Sequence, residues 1–180
     1  KPMKVIVEDV DVQVVREHER RTAANMRLDG YDLDKLCPLH EFKIARCLLE
    51  TGDIQRLFAV MDFAKYTAQS SCRLAALLPN ADADGGVARF MADKVDLRRW
   101  PGLELIIVSM NAENGPLLII DGNHRAIAHH RLHRTIEGVA AFVCEHPRVN
   151  DWNRMPSAAR VRPAFRPIKL NLRRGSSVIG

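Results

Sequence analysis

The chain has 180 residues, 47% of them hydrophobic and 27% charged, with a formal net charge of +5. That length accommodates one domain of about 100 to 150 residues with its own core plus an appendage, and argues against two full domains. No apolar run approaches the roughly 18 to 20 residues needed to span a bilayer, and no basic–apolar–small leader opens the chain, so a cytoplasmic protein without a membrane span is expected.

Lys1 and Pro2 stand ahead of Met3 as an added leader before a natural start would, and are left aside. Residues 12–26 predict a helix whose Arg16, Glu17, Glu19, Arg20 and Arg21 form a solvated charged face. The segment "DGYDLDKLCPLHEF" (29–42) opens on turn residues and carries Pro38, which predicts a loop or short strand feeding a helix over 39–50. Thr51-Gly52 ends that helix. Asp53 is placed to cap a second, longer one through residue 78, in which Leu57, Val60, Met61, Ala64 and Ala68 recur at helical spacing. "PNADADGG" (79–86) predicts a loop, 87–94 one or two helical turns, and "RRWPG" (98–102) a break.

The character then changes. Residues 103–110 and 117–120 predict strands around a turn at 111–115, a helix follows over 123–134, and 138–144 predict a third strand. The fold class expected is α+β, a small mixed sheet carrying a strand–turn–helix, with a helical amino-terminal half and an extended basic tail. Residues 1–147 are expected to be the single domain, and 148–180 a basic, proline-containing, partly disordered tail. From Arg148 onward eight Lys or Arg face one acid, a balance of +7 that leaves −2 for residues 1–147. Arg160, Arg162, Arg166, Lys169, Arg173 and Arg174 would neutralise phosphates with salt-dependent, sequence-independent affinity. DNA is the expected partner, with an acidic protein surface as the other that fits.

The chemistry concentrates at "LLIIDGNHRAIAHHRLHR" (117–134), where an apolar run ends in Asp121, Gly122, Asn123 and His124 and Arg125 opens a helix. Gly122 permits a tight turn and leaves N–H groups free at a helix start, where the dipole favours an anion, phosphate above all. No G-x-x-x-x-G-K-[ST] occurs, so a nucleotide would bind without a P-loop. His129 and His133 have a spacing that can hold zinc, yet no third ligand and no H-E-x-x-H pattern accompany them, and they read as surface histidines. Trp100 and Trp152 could stack on bases and read as packing. The four cysteines form no C-x-x-C pair and read as free buried thiols.

"LLIIDGNHRAIAH" resembles the signature box of the ParB/sulfiredoxin superfamily, in which a strand runs into a D-G-x-H-R turn and a helix. "DLDKLCPLHEF" (32–42) is similar to the family's entry segment, where a His-Glu pair leads into the first helix, and the 53–78 helix would be an insertion. The resemblance implies a ParB/sulfiredoxin-type sheet and an ATP site. There Gly122 and Asn123 supply N–H groups, His124 a phosphate hydrogen bond, Arg125 a planar clamp, and Asp121 a magnesium ligand or water-orienting group. Glu41, beside His40, maps to the general base of family members with kinase activity. Sulfiredoxins place a nucleophilic Cys where this chain has Asn123, which disfavours redox repair. Chromosome-partition members carry Glu-Arg-Arg after the Gly and add further domains, for which this chain has little room after Cys144.

Free-serine kinases and small stand-alone members remain, and the size, helical first half and basic tail resemble most the plasmid fertility-inhibition proteins of the oncogenic-suppression type. The resemblance therefore implies a magnesium-dependent ATP hydrolase with DNase activity that inhibits conjugative DNA transfer, with a conjugation or secretion-system protein as a further partner. The alternatives are an ATP-dependent kinase of a small hydroxyl substrate such as free serine, and a non-catalytic nucleotide- or DNA-binding regulator.

Overall fold

The computed structural model describes residues 3–21, 36–60, 72–76, 85–94, 96–98, 104–152 and 155–160. Among these, in chain order, are β1 (Lys4–Val7), α1 (Val12–Arg21), β2 (Lys43–Leu48), β3 (Leu57–Ala59), α2 (Gly85–Ala92), β4 (Leu105–Ser109), β5 (Leu117–Asp121), α3 (Asn123–His133) and β6 (Ala140–Glu145), with short 3-10 turns between them. The strands form one mixed sheet in the order β1-β2-β6-β4-β5-β3. Pairing is parallel between β6 and β4 and between β5 and β3, and antiparallel elsewhere. The class is α+β, as the sequence predicts.

Every residue of β4 and β5 is buried. Strands made of such continuous apolar runs need cover on both faces, which places them at the centre of the sheet. One cover is α3, in which Asn123 and residues 125–129 are all buried; a helix buried round most of its circumference sits between layers. Its second neighbour is α2, where a Cβ on Gly86 would come within 2.5 Å of the His124 ring. On the sheet, Arg46, Phe142, Ile106 and Asp121 are register partners across four strands and share one face. There α1 packs, with the His18 ring edge-on to Phe142 at 5.4 Å between centroids. Ala45, Cys47, Val143 and Glu145 lie on the other face and line an open cavity of about 490 Å³.

The β4–turn–β5–α3–β6 half, α2 and the start of α1 stand where the sequence places them; residues 22–26 of the expected first helix lie outside the described residues. Two expectations are corrected. The helix over 39–50 is a 3-10 turn, Leu39–Glu41, followed by β2. The long helix from Asp53 is a 3-10 turn, Thr51–Gln55, followed by β3, with another 3-10 turn at Leu74–Ala76 and 61–71 outside the described residues. Leu39, Phe42 and Leu49 suit a helical stripe, but six residue pairs between β2 and β6 fix the extended state instead. Asp53 does work at a turn start: its carboxylate accepts from Glu50 N–H at 2.8 Å and pairs with Arg56 at 2.9 Å. The Arg56 guanidinium also donates to the Ala112 and Gly115 carbonyls, stapling the β4–β5 turn to this segment.

The four cysteines are free and buried. Burial pushes the Cys47 thiol up to about 11 and Cys144 to about 12, so both stay protonated and unreactive near neutral pH. Packing continues past Pro147: Val149, Trp152, Met155 and Ala159 all belong to the core. Trp152 is 2% exposed and is core, not a base-stacking surface. Trp100 and residues 161–180 lie outside the described residues.

This packing sets the boundary for truncation. Ending the chain after Pro147 should abolish cooperative unfolding, because it removes Val149, Trp152, Met155 and Ala159 from the core. Trp152→Ala in the full chain should cost about 3–5 kcal/mol in urea unfolding. A Pro147 truncation as stable as the parent would show that this segment is not part of the core.

Candidate phosphate-binding site

At the end of β5 the chain turns through Gly122 at φ +88, a left-handed conformation that L side chains rarely adopt. A Cβ there would also lie 2.6 Å from Leu105 Cδ2 and 3.0 Å from Arg125 Nη2. Conformation and space both require glycine. Helix α3 starts at the next residue, and Ala126 N–H donates to Gly122 O at 2.8 Å. The N–H groups ahead of that bond form the first turn and point out along the axis.

The Asn123 side chain is spent on the scaffold. Its amide donates to Ile119 O at 2.9 Å and its carbonyl accepts from Val60 N–H at 3.4 Å, tying the corner to β3. His124 is half-buried, with its ring over Gly86. Arg125 leans back over the turn, as helical side chains do. It is 6% exposed; Nη2 donates to Asp121 Oδ2 at 3.1 Å, while Nη1 is buried with no hydrogen-bond partner among the described residues. Burial presses the guanidinium pKa down, and Asp121 and Glu104 oppose that; arginine remains a cation regardless.

Magnesium does not fit these protein groups. The Asp121 carboxylate already holds Arg125, and no group of three His, Cys, Asp or Glu among the described residues could hold a metal ion. His129 and His133 lie with ring centroids 4.5 Å apart, and His129 is buried, not on the surface as expected.

Glu41 does not belong to this corner. It lies two residues before β2, whose first residue pairs with Glu145, the partner of Ser109 at the far end of β4. Asp121 pairs instead with Ile106, near the opposite end of that strand. At about 3.3 Å per residue the two acids are separated by roughly 15 Å along the strands. Glu41 is exposed, and its Oε2 lies 3.7 Å from His146 Nε2. It cannot take a proton from a group bound at Arg125. Arg160 is likewise no free tail cation: its guanidinium donates to the Met155 and Trp152 carbonyls and clamps the last described turn. Arg162, Arg166, Lys169, Arg173 and Arg174 lie outside the described residues.

The groups the structure does bring to the corner were not selected from the sequence. Glu104, just ahead of β4, accepts from Arg46 Nη2 at 2.8 Å and from Nε at 3.3 Å. Its backbone carbonyl lies 3.0 Å from His18 Nε2, and its Oε2 3.5 Å from His18 Nδ1. Burial raises the Glu104 pKa, and the Arg46 hydrogen bond and His18 outweigh it, so the net shift is downward. Burial lowers the His18 pKa, against the pull of Glu104. His18 and Glu19 are buried, so α1 is not solvated over this stretch. Val15, His18 and Glu19, at i, i+3 and i+4, form its inward stripe, a periodicity that could have revealed His18. The Glu17–Arg20 pair is the solvated part.

Both shifts have one consequence for stability. A histidine whose folded pKa lies below its usual 6.5 makes the unfolded chain the better proton binder, so stability falls as pH drops through that value. Glu104, also lowered, adds a loss of the same sign at lower pH, and His130, lowered first by burial, adds to the first. Urea midpoints should therefore decline from pH 7 to pH 5, and His18→Gln should flatten that slope. An unchanged slope in the variant would assign the decline to other groups.

Comparison with protein-family models, with curated proteins and with solved structures finds no match. The likeness to the ParB/sulfiredoxin superfamily thus rests on the sequence segments that carry it.

Proposed function

We propose that the chain binds the phosphates of a nucleotide, such as ATP, at the Asp121–Arg125 corner. One observation carries this: Arg125, in the first turn of α3, is nine-tenths buried, and its Nη1 has no hydrogen-bond partner among the described residues. Leaving a charged donor buried and unsatisfied is costly, and an anionic oxygen arriving along the α3 axis would relieve it. In this reading Gly122 lets the backbone approach the ligand, Asp121 holds the other edge of the guanidinium, and Asn123 keeps the turn rigid. Magnesium would come with the triphosphate. DNA remains the partner proposed for the basic residues beyond Arg160.

Of the catalytic and non-catalytic alternatives, the position of Glu41 favours a nucleotide-binding regulator over a hydrolase or kinase. The base expected for turnover sits at the other end of the sheet, and general-base work requires hydrogen-bond reach.

Testing this needs care with Arg125→Ala, which would strand a buried Asp121 carboxylate and cost about 3–5 kcal/mol of stability. The paired change Asp121→Asn with Arg125→Gln removes both charges together. Calorimetric titration with Mg-ATP should show saturable binding to the parent and at least a tenfold loss in the folded double variant. Phosphate release should stay at background, and Glu41→Gln should leave binding unchanged. Equal affinity in parent and double variant would refute the site, while steady phosphate release abolished by Glu41→Gln would restore the hydrolase.

A further inference from the structure

The open cavity of about 490 Å³ lies on the sheet face opposite Asp121, and its side chains are sorted by chemistry along the strands. On its floor Ala45 faces Val143 as register partner, and Cys47 follows two residues on, beside Val5 of β1. This end is apolar. Two residues the other way the floor closes with another register pair, Lys43 and Glu145. Glu8 stands at that end because Val10 N–H donates to Ile44 O, which brings the chain after β1 alongside Lys43. Glu113 is there because the β4–β5 turn is tied to Glu145 through Ala112 N–H. At about 3.3 Å per residue, the run from Lys43 to Cys47 spans roughly 13 Å.

A concave site of this size, with an apolar floor and a few charged groups gathered at one end, suits a small molecule that is itself apolar at one end and charged at the other. The charged groups decide the sign. Lys43 and Glu145 oppose each other across the strands, and Glu145 Oε2 is already engaged by Ala112 N–H. Glu8 and Glu113 are exposed, and their carboxylates have no hydrogen bond or ion pair among the described residues. They come from opposite walls, one after β1 and the other in the β4–β5 turn, and bracket that end of the cavity. Three carboxylates against one ammonium leave an excess of negative charge. At the other end Val5, a valine on the cavity wall, is 46% exposed, apolar surface that a ligand would cover.

We propose that this cavity binds a small amphipathic amine, with its ammonium at the Glu8, Glu113 and Glu145 end and its apolar body over Ala45 and Val143 toward Cys47 and Val5. The carboxylate excess attracts the cation and repels an acid of the same shape. Apolar contact with the floor supplies the rest of the affinity. The site is separate from the Arg125 corner and does not depend on phosphate binding there.

Calorimetric titration of the full chain with phenylbutylamine, phenylbutanol and phenylbutanoate, which share one apolar body, tests this. The amine should bind saturably, the alcohol about tenfold more weakly and the acid more weakly still. Glu8→Gln combined with Glu113→Gln should cost the amine about tenfold and leave the alcohol unchanged, whereas Lys43→Gln should tighten the amine by about threefold. Ala45→Leu fills the floor and should weaken amine and alcohol alike, by about tenfold or more. All four positions are exposed or half-buried, and unfolding midpoints close to the parent's would show that the fold is intact. No saturable amine binding overturns the proposal, as does an acid that binds as well as the amine, an amine indifferent to the paired Glu changes, or an Ala45→Leu variant that binds like the parent. An amine that binds only once Arg173 and Arg174 are replaced by Gln would mean that the chain's own basic residues fill the cavity, and overturns it too.

Discussion

A nearly buried guanidinium constrains everything around it, and Arg125 constrains this corner. Its charge is tolerable inside the protein only with an anion against it, and Asp121 at 3.1 Å supplies one. For Asp121 to be there, β5 must deliver it on the correct face. Ile119 pairs with Ile107 and Asp121 with Ile106, so one residue of β5, Ile120, is extra. In regular pairing Ile106 would face Ile120, and the carboxylate would point to the opposite side of the sheet. The returning arginine then fills the space where a Cβ at position 122 would lie. The bulge, the glycine and the ion pair are three parts of one arrangement.

How far the sequence revealed this follows from how local each determinant is. Asp121, Gly122 and Arg125 lie within one turn of each other, and the long apolar runs of β4 and β5 declare their own burial, so strand, turn and helix were all legible. β2 and β3 were not. β3 has three residues, and β2 mixes Lys43, Arg46 and apolar residues in a spacing that also suits a helix. Their extended state is decided by β6 and β5, some sixty to one hundred residues later in the chain. The same distance in sequence hid half of the polar cluster: His18 and Glu104 are 86 positions apart, and Arg46 and Glu104 are 58. Glu41 shows the opposite error, since a His-Glu pair ahead of an expected helix looked like part of a site that the sheet places at its other end.

The charge balance of the cluster bears on how a phosphate would be recognised. Arg46 and Arg125 are offset by Glu104 and Asp121, and burial keeps His18 toward its neutral form. An approaching anion therefore meets little net positive field from this cluster, and residues 1–147 as a whole carry −2. Long-range attraction would have to come from the basic residues that follow, which act over about a Debye length and weaken with salt. What the corner can offer is direction: one guanidinium N–H held in place by Asp121, and the N–H groups of a helix start fixed by Gly122 and Asn123. Such a site selects by geometry, favouring an oxygen that can reach both sets of donors over any anion of equal charge, and its affinity would depend far less on salt than that of the basic residues.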